Sequence, residues 1–362
     1  MNIRGMLARW FERYLSDEEA IVLLLLLIGG FSLVIWLGAA LAPFLTALVV
    51  AFLLQGVVAW LERRGLPRWA AVGGVFLLFV GALLALALVV LPLVWNQLVE
   101  LVQEAPRMFA SSQRWLDELQ TRYPTVVTPD QIQNWAATAS QQASQLGQRA
   151  LTFSLASLGN LLAVIIYLVL VPILVLFMLK DRERLVAFLL SLLPRRRTLM
   201  TRVWQEMDDQ IANYVRGKTI EIVIVGSVAF LTFVAFGLPY AALLGLMVGL
   251  SVLVPYIGAA LATLPVAAVA GFHFGMSQEF VYVLVAYGVL QALDGNVLVP
   301  ILFSGAVNLH PVSIILAVLF FGGLWGFWGV FFAIPLATLL KALVQAWPRR
   351  ADTLSVENKS AR

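Results

Sequence analysis

Apolar residues run along this chain in blocks of about twenty, the length at which a helix crosses the hydrocarbon of a bilayer. The blocks fall at residues 21–41, 44–61, 69–93, 151–178, 221–236, 240–271, 280–302 and 311–344. Pro43 marks a turn between the first two, Pro92 ends the third, and Pro172 interrupts the fourth. The pattern predicts an all-α polytopic membrane protein with about eight transmembrane helices, several of them broken by Pro or Gly. It divides the chain into an amino-terminal segment with three spans (1–94), a polar block (95–150), a fourth span (151–179), a second polar block (180–218), a core of broken helices (219–345) and a tail (346–362).

The polar blocks also carry helical signals. Thr128-Pro129-Asp130-Gln131 reads as a helix start, with Thr128 as cap and Pro129 in the first turn. In the second block Leu185, Phe188, Leu189 and Leu192 make one apolar face, and Val203, Met207, Ile211 and Tyr214 another. These are two amphipathic helices suited to the headgroup plane. Met6, Leu7, Trp10 and Phe11 suggest a similar interfacial segment at the amino terminus.

Composition agrees with the pattern: 61% of the 362 residues are hydrophobic and only 12% are charged. Soluble domains carry about twice that charge. All but four of the 24 Lys and Arg residues lie in segments 1–20, 62–68, 180–218 and 341–362. The positive-inside rule therefore places both termini and the 180–218 block in the cytoplasm, and the 95–150 block outside. A net charge of +4 distributed in this way indicates lipid contact and no nucleic-acid partner. Arg195, Arg196 and Arg197 would meet anionic headgroups. No cysteine is present, and His273 and His310 make no ligand spacing, so no metal site or cofactor is expected.

The candidate chemistry lies in residues 280–302. Tyr287, Gln291, Asp294 and Leu298 fall on one helical stripe, with Gly288, Ala292 and Gly295 on a small-residue stripe beside it. An acid at membrane depth costs several kcal/mol on most scales and by default marks a solute or ion pathway. Asp294 is the candidate proton- or cation-binding group, with Gln291 and Asn296 as its polar neighbours. Glu221, at the start of the fifth span, is a second candidate, the alternative being that it snorkels to the interface beside Lys218. Pro255, Tyr256 and Gly258 break one helix, and Gly295 and Pro300 another. Interrupted membrane helices supply carbonyls and helix ends to transporter sites, which makes these breaks a gate or facing wall. Ala241, Gly245 and Gly249 form a face for tight helix crossing. Gly322, Gly326, Gly329 and Ala333 form another, and such faces also point to a homo-oligomer of unspecified size.

Several motifs occur in a definite order: Lys180-Asp181-Arg182, Leu192-Leu193-Pro194, Tyr214-Val215-Arg216-Gly217, Gly237-Leu238-Pro239 and Val254-Pro255-Tyr256-Ile257-Gly258. Asp294 and Asn296 with Pro300, then Leu309-His310-Pro311, then Gly322-Gly323 through Gly326 and Gly329 to Pro335, complete the order. From about residue 160 onward this series resembles the autoinducer-2 exporter family, the PerM-like permeases. Lys218 departs from it, standing where that family's pattern leads one to expect glutamine. The resemblance implies a multi-pass permease of the bacterial inner membrane, exporting a small polar solute such as autoinducer-2, or a sodium or lithium/proton antiporter.

The residues fit best a secondary transporter driven by a proton or sodium gradient, since no Walker motif is present to use ATP. A passive channel and a non-transporting scaffold are the alternatives. An intramembrane hydrolase is disfavoured, because Ser304 and His310 form no dyad and no Gly-x-Ser-x-Gly occurs.

Overall fold

The structure, a computed structural model, describes residues 18–104, 108, 161–193, 198–255, 257–303 and 309–346. Every element among them is helical. Most of the expected outer block, Arg195–Arg197, Tyr256, the amino-terminal segment through residue 17 and the tail from residue 347 lie outside the described residues.

The helices are α1 (Glu18–Arg63), α2 (Arg68–Glu104), α3 (Leu161–Lys180), α4 (Arg182–Ser191), α5 (Thr198–Ala235), α6 (Ala241–Ser251), α7 (Ile257–Phe274), α8 (Gln278–Phe303), α9 (Pro311–Trp325) and α10 (Phe327–Ala346). Segments Ala40–Arg63, Arg68–Glu104, Gln210–Ala235, Ile257–Phe274 and Gln278–Phe303 are long and apolar enough to cross a membrane. Leu77, Leu88, Leu264 and Ile301 are exposed on these helices, as lipid-facing side chains would be.

Two compact units are distinguishable: Met1–Val72 with Ile173–Gly217 and Phe303–Arg362, and Gly73–Pro172 with Lys218–Leu302. In the first, α1 runs unbroken for 46 residues, so the turn expected at Pro43 does not form. A proline inside a helix forfeits one backbone hydrogen bond and crowds the carbonyl four residues back. In an apolar run with no polar connector, ending the helix would expose more unpaired groups than continuing it. Arg68 forms an ion pair with Glu183, joining the α1–α2 connection to α4. Phe31 stacks on Trp325 with ring centroids 5.1 Å apart, holding α1 against α9.

The final apolar run, expected as one helix with a glycine face, is two helices hinged at Gly326. A Cβ on Gly329 would lie 1.8 Å from Phe321 O, and one on Gly322 would lie 2.9 Å from Val330 Cγ2. The glycines therefore bring α9 and α10 together and do not form a face of one helix. Gly326 itself has φ +58° and ψ −130°, and a Cβ there would meet no other atom. Gly326→Ala should consequently lower stability through backbone strain alone, by about 1–3 kcal/mol, seen as a lower midpoint of thermal unfolding in detergent.

In the second unit, α5 and α6 cross on glycine as the sequence pattern predicts. A Cβ on Gly249 would lie 2.8 Å from Gly226 Cα, and one on Gly245 would lie 2.7 Å from Phe230 Cβ. Gln97 of α2 accepts a hydrogen bond from Leu243 N at 2.9 Å, capping the first turn of α6. The chain then turns between Ser251 and Ile257, so the break expected at Pro255–Gly258 is present.

The break expected at Gly295 and Pro300 is not. There α8 continues through a π turn at Asp294–Leu298, with Val299 N–H reaching back to Asp294 O. A second π turn at Leu86–Val90 lies in α2 just ahead of Pro92. In each case the carbonyl four residues before the proline, at Leu88 or Asn296, sits within the widened turn. The extra residue per turn makes room for a ring that would otherwise strike that oxygen.

Candidate functional site

Within the second unit, α5 presents one stripe to the core: Lys218, Glu221, Val225, Ala229 and Phe233, all buried. The step of three or four residues between them keeps them on one face. The apolar part of this stripe packs in the core that also holds Val283 and Tyr287 of α8. The rings of Phe233 and Tyr287 lie 6.4 Å apart. Further along α8 the same stripe becomes Gln291 and Asp294, both partly buried.

Lys218 Nζ donates to Glu221 Oε2 at 2.8 Å, and the two side chains are only 5% and 2% exposed. The alternative that Glu221 snorkels to the interface is not what forms: the pair is drawn inward with the apolar stripe it belongs to. Asp294 lies within electrostatic range of both Lys218 and Glu221. Its Oδ1 is buried and has no hydrogen-bond partner among the described residues. An unsatisfied buried carboxylate oxygen is rare enough to require a specific explanation.

Tyr287 ties α8 to the start of α7. Its hydroxyl accepts from Gln291 Nε2 at 2.6 Å and donates to Ala259 O at 3.2 Å. Thr263 Oγ1 lies 3.4 Å from the same hydroxyl and donates to Ala259 O at 2.8 Å. Ala259 follows Gly258 directly, so the restart of the chain after Pro255 is held by Tyr287, about two helical turns before Asp294 on the same stripe. Asn296 stands apart: it is exposed and donates to Ala292 O at 2.8 Å. Gly295 is exposed as well, and Pro300 lies on the continuing helix.

Of the sequence candidates, Glu221, Gln291 and Asp294 are thus gathered into one region, with Gly258 at its edge, while Asn296 is not. Lys218 and Tyr287 also belong to the region, although the sequence assigned neither of them a role at the site. The signal for Lys218 was its i,i+3 spacing to Glu221, and that for Tyr287 was its place on the Asp294 stripe.

The chain is 48% identical over 343 residues to PerM of Escherichia coli (strain K12), a permease by name, with 95% of this chain and 97% of that protein aligned. It is 26% identical over 303 residues to the AI-2 transport protein TqsA of the same strain, covering 84% of this chain and 85% of TqsA. YrrI of Bacillus subtilis (strain 168), a transport protein by name, is 28% identical over 303 residues, with 83% of this chain and 85% of YrrI aligned. Residues 21–349 match the family described as AI-2E family transporter, and the chain belongs to that family of membrane transport proteins.

Proposed function

We propose that this protein is a secondary transporter that moves a small polar solute, such as autoinducer-2, and couples it to a proton or sodium gradient at Asp294. The observation carrying this reading is the buried Asp294 oxygen on a membrane-length helix, which has no hydrogen-bond partner among the described residues and lies within electrostatic range of the Lys218–Glu221 pair. A group that must bind and release an ion in each cycle cannot be satisfied permanently by protein donors. The name of TqsA supplies the solute. Positive-inside placement of Lys and Arg supports a cytoplasmic face for the 180–218 block and the tail.

A second reading is a monovalent cation/proton antiporter. With both carboxylates ionised, Lys218, Glu221 and Asp294 together carry one net negative charge. One proton or one alkali cation neutralises it, and no solute is required.

Purified protein in vesicles, with proton and sodium gradients imposed separately, tests both readings. Gradient-driven uptake of autoinducer-2 supports the first, and sodium/proton exchange without solute supports the second. In either case Asp294→Asn should reduce coupled flux at least about tenfold while preserving the folded protein. Undiminished flux in that variant would remove Asp294 from the mechanism.

A further inference from the structure

We propose that the cavity between the start of α9 and the end of α10 holds the headgroup of an anionic glycerophospholipid from the cytoplasmic leaflet. The two helices close on each other at Gly322 and Gly329, beside the Gly326 hinge. Away from the hinge no glycine lines the gap, and a cavity of about 550 Å³ remains there. One end of it is polar, with His310 and Ser313 at the start of α9 and Lys341 late in α10. The other lining side chains are apolar, and Leu316, Phe320 and Leu340 among them are 60%, 62% and 49% exposed. No acidic residue among the described residues lines it. A pocket that is cationic at one end and apolar along its length fits a ligand of matching build, an anionic head on a hydrocarbon chain.

The donors at the polar end are side chains. Pro311 has no N–H, and Val312 N–H donates to His310 Nδ1 at 3.3 Å. Ser313 N–H and Ile314 N–H donate to His310 O at 2.8 and 3.2 Å. No backbone donor of the first turn is left over, so the helix end itself offers an anion nothing. With Nδ1 accepting, the imidazole carries its proton on Nε2 and is a donor there. Together with Ser313 Oγ and Lys341 Nζ it gives the lining three donors, one of them charged, for phosphate oxygens. Lys341 also opens the basic segment 341–362, which the placement of Lys and Arg assigns to the cytoplasmic side, where anionic lipid is found. A lysine that merely snorkelled to the headgroups would need neither a cavity nor the two further donors that line it.

The full chain, purified in dodecylmaltoside, is mixed with phosphatidylglycerol, with phosphatidylcholine of the same acyl chains, or with glycerol 3-phosphate alone. The unfolding midpoint is read in each, and native mass spectrometry counts the retained lipid. The wild-type midpoint should rise by about 4 °C or more in phosphatidylglycerol relative to phosphatidylcholine, and not at all with glycerol 3-phosphate. Lys341→Gln should lose at least about half of that rise, the remainder being what Arg195–Arg197 and other surface charges gain from anionic lipid. His310→Asp separates the lipid site from the helix cap. Aspartate is a strong N-cap and suits the helix dipole, so the midpoint in phosphatidylcholine should hold. Its charge opposes phosphate, so the rise in phosphatidylglycerol should shrink as it does in K341Q.

An undiminished rise in either folded variant would overturn the inference. So would an equal rise with glycerol 3-phosphate, which would make the cavity a site for a soluble anion. A wild-type midpoint that follows protein concentration and ignores phosphatidylglycerol would assign the groove to a second copy of the chain, and would overturn it too. If K341Q does not fold, H310D decides on the same criterion. If neither folds, competition on the wild type decides: offered equal amounts of the two lipids, it should retain mainly phosphatidylglycerol, and equal retention overturns the inference. No readout involves flux or Asp294, so the lipid site and the transport reading stand or fall separately.

Discussion

Gly258→Ala should leave almost no folded protein in the membrane. A Cβ at this position would lie 1.7 Å from Ser251 O and 2.6 Å from Ser251 C. Both are backbone atoms at the end of α6, so no side-chain rotation relieves the overlap. Neither helix is free to withdraw. On one side, α6 is pinned against α5, where Gly249 leaves no room and a Cβ would also meet Ile222 O at 2.9 Å. On the other, α7 is held at Ala259 and Thr263 by Tyr287. Moving α7 far enough to admit one methyl would pull the Ala259 carbonyl off Tyr287, and with it the hydroxyl that positions Gln291. The expected loss exceeds about 3 kcal/mol, the upper end of ordinary overpacking. Size-exclusion profiles and unfolding midpoints in detergent measure it. A monodisperse G258A protein with an unchanged midpoint would show that the α6–α7 turn is built differently.

This position also marks how far the sequence reaches. The Pro255–Gly258 break and the Gly245–Gly249 crossing were legible because each depends on a local property, a missing N–H or a missing Cβ, that neighbouring residues cannot supply. The Tyr287–Gln291–Asp294 stripe was legible because a helix fixes which residues share a face. Pro43 and Pro300 were misread for a common reason. A proline removes one hydrogen bond, and whether the helix ends or absorbs the loss depends on what surrounds it. At Pro300 a π turn absorbs it; at Pro43 the helix continues unbroken. The hinge at Gly326 was hidden because apolar residues flank it on both sides. In a membrane, lipid-facing and buried positions have nearly the same composition, so apolar periodicity does not separate one long helix from two short ones. The inward burial of Lys218 was hidden most completely. A lysine near the end of an apolar run snorkels or turns inward according to what faces it, and the facing acid, Asp294, is 76 residues further along the chain.

Glu221→Gln is the stability prediction that follows from that burial. The pair is desolvated on both sides, at 5% and 2% exposure, so removing the carboxylate leaves a buried ammonium without its neutralising partner. Breaking such a pair from one side costs about 3–5 kcal/mol, although replacing both members by apolar groups can be nearly neutral. Asp294 lies within electrostatic range of Lys218 and supplies part of the missing negative charge, which places the loss toward the lower end of that range. The companion variant Lys218→Met with Glu221→Gln should recover most of the stability, because the charge that lost its partner is removed with it. Chemical denaturation of both variants in the same detergent gives the comparison. A single Glu221→Gln variant as stable as the wild type would mean that water or lipid headgroups reach Lys218, and the buried pair would then not be the electrostatic centre of this helix. A double variant that is less stable than the single one would mean that the ammonium is stabilised chiefly by Asp294 and that Glu221 is the lesser of its two carboxylates. That outcome would shift the transport-coupling role further toward α8, where the unbonded oxygen already lies.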